Sequence, residues 1–408
     1  MQRSPLAPST MPQPVPVAGV RYAVLEAGLR YRGRPDLLLI AFDDGTTVGG
    51  VFTRSTTAGH PVLWCRRILT GGSARAVIVN AGNANVFRGR EGDEAVAKEA
   101  RAVAGALGCA PESVFVASTG VIGQRLPVDE ICARVPDLVA GLASEGLSEA
   151  ASAIMTTDTF AKWAVAKATI DGREVTIAGI AKGSGMVAPD MATMLAFLVT
   201  DANLAAPVVQ SLVASGADRS FNAITVDGDT STSDSVLLFA TGRAAHPAID
   251  DPADSRLDAF RAALDDVMTE LALMVVRDGE GASKLVTIRV SGAVDDGSAR
   301  RIGLAIGNSP LVKTAIAGED ANWGRIIMAI GKAREPIEND ALAISFGGHT
   351  VARDGGAVPD LDEEPVAAHL RGSEISIDVR VGRGSGDATV WTCDLTHGYI
   401  DINADYRS

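Results

Sequence analysis

Short apolar runs rich in β-branched residues punctuate this chain from end to end, and each is the length of a strand. They include Ala76-Val-Ile-Val79, Ser113-Val-Phe-Val116, Val175-Thr-Ile177, Met194 to Val199, Ser235-Val-Leu-Leu-Phe239, Val286-Thr-Ile-Arg-Val290 and Ile375-Ser-Ile-Asp-Val-Arg-Val381. The last alternates apolar with polar residues, the period of a strand with one wet face. Between the runs lie helical patterns. Val96, Ala100, Val103 and Leu107 share one face after Asp93, which reads as an N-cap, and Leu257, Phe260, Leu264, Val267 and Leu271 share another. A chain that mixes strands and helices with no fixed repeat period is expected to fold as an α/β or α+β protein, not as a solenoid.

Composition narrows this further. The 408 residues suffice for one large or two ordinary domains, and 43 glycines against 4% aromatics imply many tight turns and an aliphatic core. The formal charge of -13 is spread along the chain, so no polyanion-binding surface is expected and nucleic acid is excluded as a partner. The four cysteines form no Cys-x-x-Cys pair and the five histidines no His-Glu-x-x-His motif, so neither a metal site nor a disulfide framework is expected. Prolines break the first twenty residues where a secretory signal would be continuously apolar, and this segment reads as an arm that enters the fold late. The densest apolar runs, such as Leu37 to Phe42, are too short to span a membrane, which leaves a cytoplasmic protein as the expectation. Pro247 to Asp254 and Asp354 to Pro365 read as surface loops.

The stretch Lys182-Gly-Ser-Gly-Met-Val-Ala-Pro-Asp-Met-Ala-Thr-Met-Leu-Ala-Phe-Leu-Val199 carries the chemistry. A threonine opening a strand is ordinarily only a β-branched residue in a suitable place. A hydroxyl can also attack the carbonyl of the residue before it when the backbone holds that peptide strained and a donor stabilises the oxyanion, giving an ester that water cleaves. Glycines and a proline precede Thr193, and Ala192 leaves little bulk around the carbonyl. Cleavage would expose a threonine whose own α-amine, with a pKa of roughly 7.7 to 8.0, serves as its base, so that no histidine is needed. The residues alone allow both readings.

Other blocks settle which proteins this chain is similar to. They are Asn80-Ala-Gly-Asn-Ala-Asn85, Ser118-Thr-Gly-Val-Ile-Gly123, Met155-Thr-Thr-Asp-Thr159, Asp229-Thr-Ser-Thr-Ser-Asp234, Asp278-Gly-Glu-Gly281, Ser309-Pro-Leu-Val-Lys-Thr314 and Asp320-Ala-Asn-Trp-Gly-Arg325. Together with residues 182–197, and in this order, they resemble the ArgJ family of ornithine acetyltransferases, also called glutamate N-acetyltransferases. Ala81 and Ser233 depart mildly from that family's pattern.

The resemblance implies a DmpA/ArgJ-like α/β fold related to N-terminal-nucleophile enzymes. It implies cleavage between Ala192 and Thr193 into an alpha chain, 1–192, and a beta chain, 193–408, that remain one intertwined unit. Thr193 would be the nucleophile that takes acetyl from N-acetylornithine and passes it to glutamate, with Thr119 and Gly120 as the oxyanion hole. Substrate contacts carry over to Thr159, Lys182, Thr193, Glu280, Asn403 and Ser408. No metal and no bound cofactor are implied, although some members take acetyl-CoA as a further donor. Two alpha and two beta chains in a heterotetramer are the implied assembly. Taken singly, Lys182 and Glu280 read as solvated surface charges and the tail 398–408 as a fraying end, whereas the resemblance requires that tail to fold back over the site. Two rivals are an N-terminal-nucleophile aminopeptidase or amidase, with water as acceptor, and a phosphate-binding loop at Lys182 to Gly185, whose residue order is wrong for one.

Overall fold

The computed structural model describes residues 2–188 and 194–404. Its mixed α/β class is the one expected from the alternating patterns, and its strands fall into three sheets. The first has four strands in the order β1 (Val20–Leu25), β2 (Leu37–Phe42), β4 (Ala76–Asn83) and β5 (Val114–Val121). The second has five, in the order β3 (Thr47–Phe52), β9 (Ser235–Ala240), β8 (Leu195–Thr200), β7 (Arg173–Lys182) and β6 (Lys162–Ile170). In the third the order is β13 (Gly356–Ala357), β12 (His349–Arg353), β11 (Ala343–Phe346), β14 (Glu374–Arg380), β10 (Leu285–Ala293) and β15 (Gly386–Cys393). Among the strand pairs of the described residues, β4 with β5, β8 with β9 and β10 with β14 run parallel and the others antiparallel.

Side-chain alternation along β8 explains how the first two sheets stack. Leu195, Phe197 and Val199 point into a core shared with Leu37 to Ile40 and Val77 to Val79 of the first sheet. Ala196 and Leu198, on the opposite face, join Val208 and Leu212 of helix Ala206–Arg219 and Leu264 and Leu271 of helix Asp258–Arg277. Phe42 stacks on Phe239 across the sheets, with ring centroids 4.3 Å apart. Helices Gly89–Leu107 and Val128–Ala140 bury Val96, Val103, Ile131 and Leu138 with the first sheet. The two central sheets are thus sandwiched between helices, while the third sheet has its own core with helices Asp296–Gly307 and Trp323–Lys332. Its strand β14 alternates buried and more exposed residues, as the sequence pattern indicates.

Two local expectations need correction. Helix Gly89–Leu107 begins a turn before Asp93, with Arg88 at the cap position, and the Asp93 carboxylate instead pairs with His60 Nδ1 at 2.7 Å. The proline-rich arm does not wait for the first strand to join the fold. Leu6 is buried in the second core, the Ser4 N–H donates to Thr159 Oγ1 at 2.9 Å, and Trp163 Nε1 donates to the Pro12 carbonyl at 2.9 Å. Among the described residues no helix is long and apolar enough to cross a membrane.

Candidate active site

Strands β7 and β8 are antiparallel neighbours, so the segment joining them emerges at one end of the second sheet. Lys182 pairs with Leu195 and Leu195 with Ser235, which places the ends of β7, β8 and β9 abreast. The proposed cleavage pair, Ala192 and Thr193, sits in this connection and lies outside the described residues, as does Ser408.

A cavity of about 270 Å³ opens at that end, lined on one side by Thr119 and Gly120 from β5 and on the other by Lys182, Gly185, Glu280 and Asn403. Thr156, Thr157 and the run Ser231 to Ser233 complete its wall. With Ala84, residues from seven separate stretches of chain therefore meet in one hollow, with a few polar groups converging in the manner of small-molecule sites.

Gly120 has φ +132°, and a Cβ there would stand 2.3 Å from the Gly82 carbonyl carbon, so the β5 backbone approaches β4 as closely as it does only because residue 120 is glycine. Gly185 does the same for Glu280, whose Oε2 lies 2.4 Å from where a Cβ would be. The Asn403 side-chain N–H donates to Glu280 Oε2 at 2.7 Å, which brings the C-terminal helix, His397–Ala404, onto the cavity. That helix is also tied down by Tyr399, whose hydroxyl donates to Asp227 Oδ2 at 3.3 Å. Asp227 in turn accepts the Met186 N–H at 2.6 Å and the Val187 N–H at 2.9 Å, holding Met186 at φ +56°. A non-glycine residue in the left-handed region is uncommon, so this carboxylate fixes a strained turn on the approach to residue 193.

Beneath the cavity lies a charged network with no exposed side chain. Lys162 Nζ donates to Asp158 Oδ1 at 2.7 Å and to Asp278 Oδ2 at 2.6 Å. Asp158 also accepts the Gly183 N–H at 2.7 Å, and so anchors the residue after Lys182. Burial raises the Asp158 pKa, but Lys162, Lys182 and the bonds it accepts outweigh burial and hold it below the usual carboxylate range. Lys182 is only 3% exposed, and its ammonium makes no hydrogen bond to a described residue. Burial lowers its pKa and Lys162 adds to that, while Asp158, Glu280 and Asp234 oppose it. An ammonium in such a setting is poised to meet a substrate carboxylate, and the Glu280 carboxylate across the cavity can meet a substrate ammonium.

The structure thus gathers Thr119, Gly120, Lys182, Glu280 and Asn403, and buries the lysine and the glutamate that singly read as surface charges. It does not bring Thr159 to the cavity: its hydroxyl donates to Asp278 Oδ1, and Thr156 and Thr157 of the same block line the wall instead. Ser231 to Ser233 and the anchoring carboxylates Asp158, Asp227 and Asp278 were not singled out from sequence. All but Asp227 stand in blocks already quoted, so block membership was the available signal.

The ArgJ family model matches residues 21–408. The Arginine biosynthesis bifunctional protein ArgJ of Gluconobacter oxydans (strain 621H) is 58% identical over 408 residues, covering 99% of this chain and 96% of that protein. Its counterpart in Rhizobium meliloti (strain 1021) is 53% identical over 408 residues, covering 99% of each. Among solved structures, the arginine biosynthesis bifunctional protein argJ of Bacillus halodurans is 38% identical with a TM-score of 0.49, covering 50% of this chain and 96% of that one.

Proposed function

Because the chain belongs to the ArgJ family, we infer that it is an acyltransferase moving acetyl from N2-acetyl-L-ornithine to L-glutamate, giving L-ornithine and N-acetylglutamate in arginine biosynthesis. The observation that carries this reading at the site is the convergence of Thr119, Gly120, Lys182, Glu280 and Asn403 on one cavity beside the connection that contains residue 193.

Thr193 is the nucleophile in this reading. Its hydroxyl attacks the Ala192 carbonyl, the Ala192–Thr193 amide becomes an ester, and water hydrolyses the ester to an Ala192 carboxylate and a Thr193 α-amine. The same hydroxyl then attacks the acetyl carbon of acetylornithine, giving up its proton to the α-amine. The Thr119 hydroxyl and the Gly120 N–H are the donors for the developing oxyanion. As the acetyl–nitrogen bond breaks, the proton passes to the ornithine nitrogen and acetyl stays on Thr193 as an ester. Ornithine leaves, the glutamate amine attacks the ester, its proton returns to the threonine oxygen by way of the α-amine, and N-acetylglutamate departs.

Donor and acceptor share an α-carboxylate, which one cationic group can hold, and the ornithine side chain adds an ammonium that one anionic group can hold. Lys182 takes the α-carboxylate, Glu280 with Asn403 takes the ornithine side-chain ammonium, and Ser408 is a further substrate contact in this reading. Thr156 and Thr157 replace Thr159 as the wall contacts from their block. The two pieces stay together because β3 and β7 from residues 1–192 pair with β9 and β8 from residues 193–408 inside one sheet. Two copies of each piece form the assembly, acetyl-CoA serves as a second donor, and the enzyme works in the cytoplasm.

Intact mass under denaturing conditions tests the premise. Wild type is expected to give fragments 1–192 and 193–408, and Thr193→Ala a single 408-residue chain. A wild type that stays whole removes Thr193 as an N-terminal nucleophile. Ornithine release that does not respond to added glutamate would instead mark a hydrolase.

A further inference from the structure

Asn85 ends the block Asn80 to Asn85, where the chain leaves β4 for helix Gly89–Leu107. Its neighbour Ala84 lines the catalytic cavity, whereas Asn85 lines a second hollow of about 200 Å³. Six charged side chains surround that hollow: Arg88, Glu91, Glu94, Lys98, Arg125 and Asp129. Its cations are already matched, since Arg88 and Arg125 share the Glu91 carboxylate and Lys98 pairs with Asp129. Glu94 pairs with no cation among the described residues.

Two buried polar atoms on the residues lining this hollow are left over, and they are of opposite sense. Asn85 is 1% exposed, and its Oδ1, an acceptor, has no hydrogen-bond partner. Arg88 Nε, a donor, is also buried without one. Both side chains are held where they are. The Asn85 side-chain N–H donates to the Gly92 carbonyl at 3.2 Å, and its backbone N–H donates to Asn83 Oδ1 at 2.8 Å. The His60 N–H donates to the Asn85 carbonyl at 3.2 Å, and the Arg88 guanidinium is fixed by the Gly123 carbonyl at 3.1 Å and by Glu91. An orphaned buried polar atom calls for a missing water, ion or ligand. A water can meet either orphan but leaves Glu94 unmatched. A solute with a carboxylate and ammonium groups meets all three.

We propose that this hollow is a second ligand site, separate from the catalytic cavity, for a free basic amino acid: its carboxylate accepts from Arg88 Nε, and its two ammonium groups donate to Asn85 Oδ1 and to Glu94. The flexible side chain of such a ligand sets no fixed spacing between these contacts. Charge-assisted hydrogen bonds of this kind are the stronger ones, so two or three suffice for a small solute. The hollow and the catalytic cavity also share a wall. The Ala84 N–H donates to the Val121 carbonyl at 3.1 Å, and the Asn83 side-chain N–H to the Arg125 carbonyl at 3.1 Å. Substitutions here can therefore move activity indirectly, and binding is the readout that isolates the site.

Equilibrium dialysis of radiolabelled L-lysine against the purified protein tests this, comparing wild type with Glu94→Gln, Asn85→Leu and, in the catalytic cavity, Glu280→Gln. Wild type should bind lysine with a Kd below about 1 mM. Glu94→Gln and Asn85→Leu should each weaken binding about tenfold, the scale of one lost charge-assisted contact. Glu280→Gln should keep this site within about twofold of wild type, and any second lysine held in the catalytic cavity should be lost there. L-norleucine, which has the same chain without the side-chain ammonium, should compete at least about tenfold less well. Glu94 is exposed, so its variant keeps the fold. If Asn85→Leu does not fold, Asn85→Asp decides: it keeps an acceptor at this place, so lysine bound at least as tightly as by wild type supports the site and weaker binding overturns it. No saturable binding below about 10 mM, an unchanged Kd in Glu94→Gln, or loss of all binding in Glu280→Gln also overturns it. None of these readouts depends on chain cleavage or acetyl transfer, so failure here is distinct from failure of the acetyltransferase reading.

Discussion

At the scale of single residues, Lys162 is what allows the floor of the site to exist. Asp158 and Asp278 lie in quoted sequence blocks, but their shared partner stands in no block and is far from Asp278 in the chain. No spacing rule pairs such residues, because only the fold brings β6 against the end of helix Asp258–Arg277. Burial lowers the Lys162 pKa, yet Asp158 and Asp278 more than reverse it, so the ammonium is held charged. Removing one partner of a buried ion pair leaves the others uncompensated, at a cost of about 3 to 5 kcal/mol. Lys162→Met should therefore lose roughly that much stability in urea denaturation at pH 7. The sign with pH follows from the carboxylates. The depressed Asp158 pKa contributes stability that is present above the ordinary carboxylate range and lost as pH falls toward its folded value. In the methionine variant Asp278 lacks its counter-charge and Asp158 keeps only Lys182, so both gain by protonation and the deficit should shrink as pH falls into the ordinary carboxylate range, about pH 4. A deficit that is constant with pH would assign the loss to packing alone.

Elements carry the next level of the argument. The helix His397–Ala404 shows no apolar stripe and buries no residue, so nothing in its periodicity marks it as part of a site. It is held by single contacts: Asn403 on Glu280, Tyr399 on Asp227, and a close backbone approach at Gly281. Gly281 has φ +73°, and a Cβ there would fall 2.4 Å from the Tyr399 nitrogen. Gly281→Ala should thus push the helix off the cavity while leaving the sheets intact. The expected result is a KM for acetylornithine raised at least about tenfold, the scale of one lost charge-assisted contact, with an unchanged circular-dichroism spectrum. Unchanged KM would mean that the helix does not contribute to substrate binding. The family resemblance, and not the residue pattern, made this element legible. By contrast β5, β8 and β9 could be read directly, since a period of two or a continuous apolar run is local information.

For the whole molecule, sequence gave the class but not the layering, because sheet order depends on pairings between residues far apart in the chain. Local pattern says that β3 is a strand; only the assembled core says that it pairs with β9, far along the chain. The packing of helices outside the first sheet leaves one further cost that pattern also hides. Glu99, on helix Gly89–Leu107, is buried on the helix's inner side with Oε2 unpartnered, and burial pushes its carboxyl up to about 8. A raised pKa contributes stability that is full below the unfolded value, about 4.3, and lost as pH rises through the folded value. Between these limits the unfolded chain releases a proton that the folded chain retains, so folding weakens by up to about 1.4 kcal/mol per pH unit from this group. Glu99→Gln has nothing to release. Its stability in urea denaturation should fall below or match wild type near pH 4 and exceed it progressively toward pH 8, after which the difference levels off. Parallel curves for the two proteins across that range would show that the Glu99 carboxyl finds water or a partner in solution, and the helix would then owe no alkaline penalty to it.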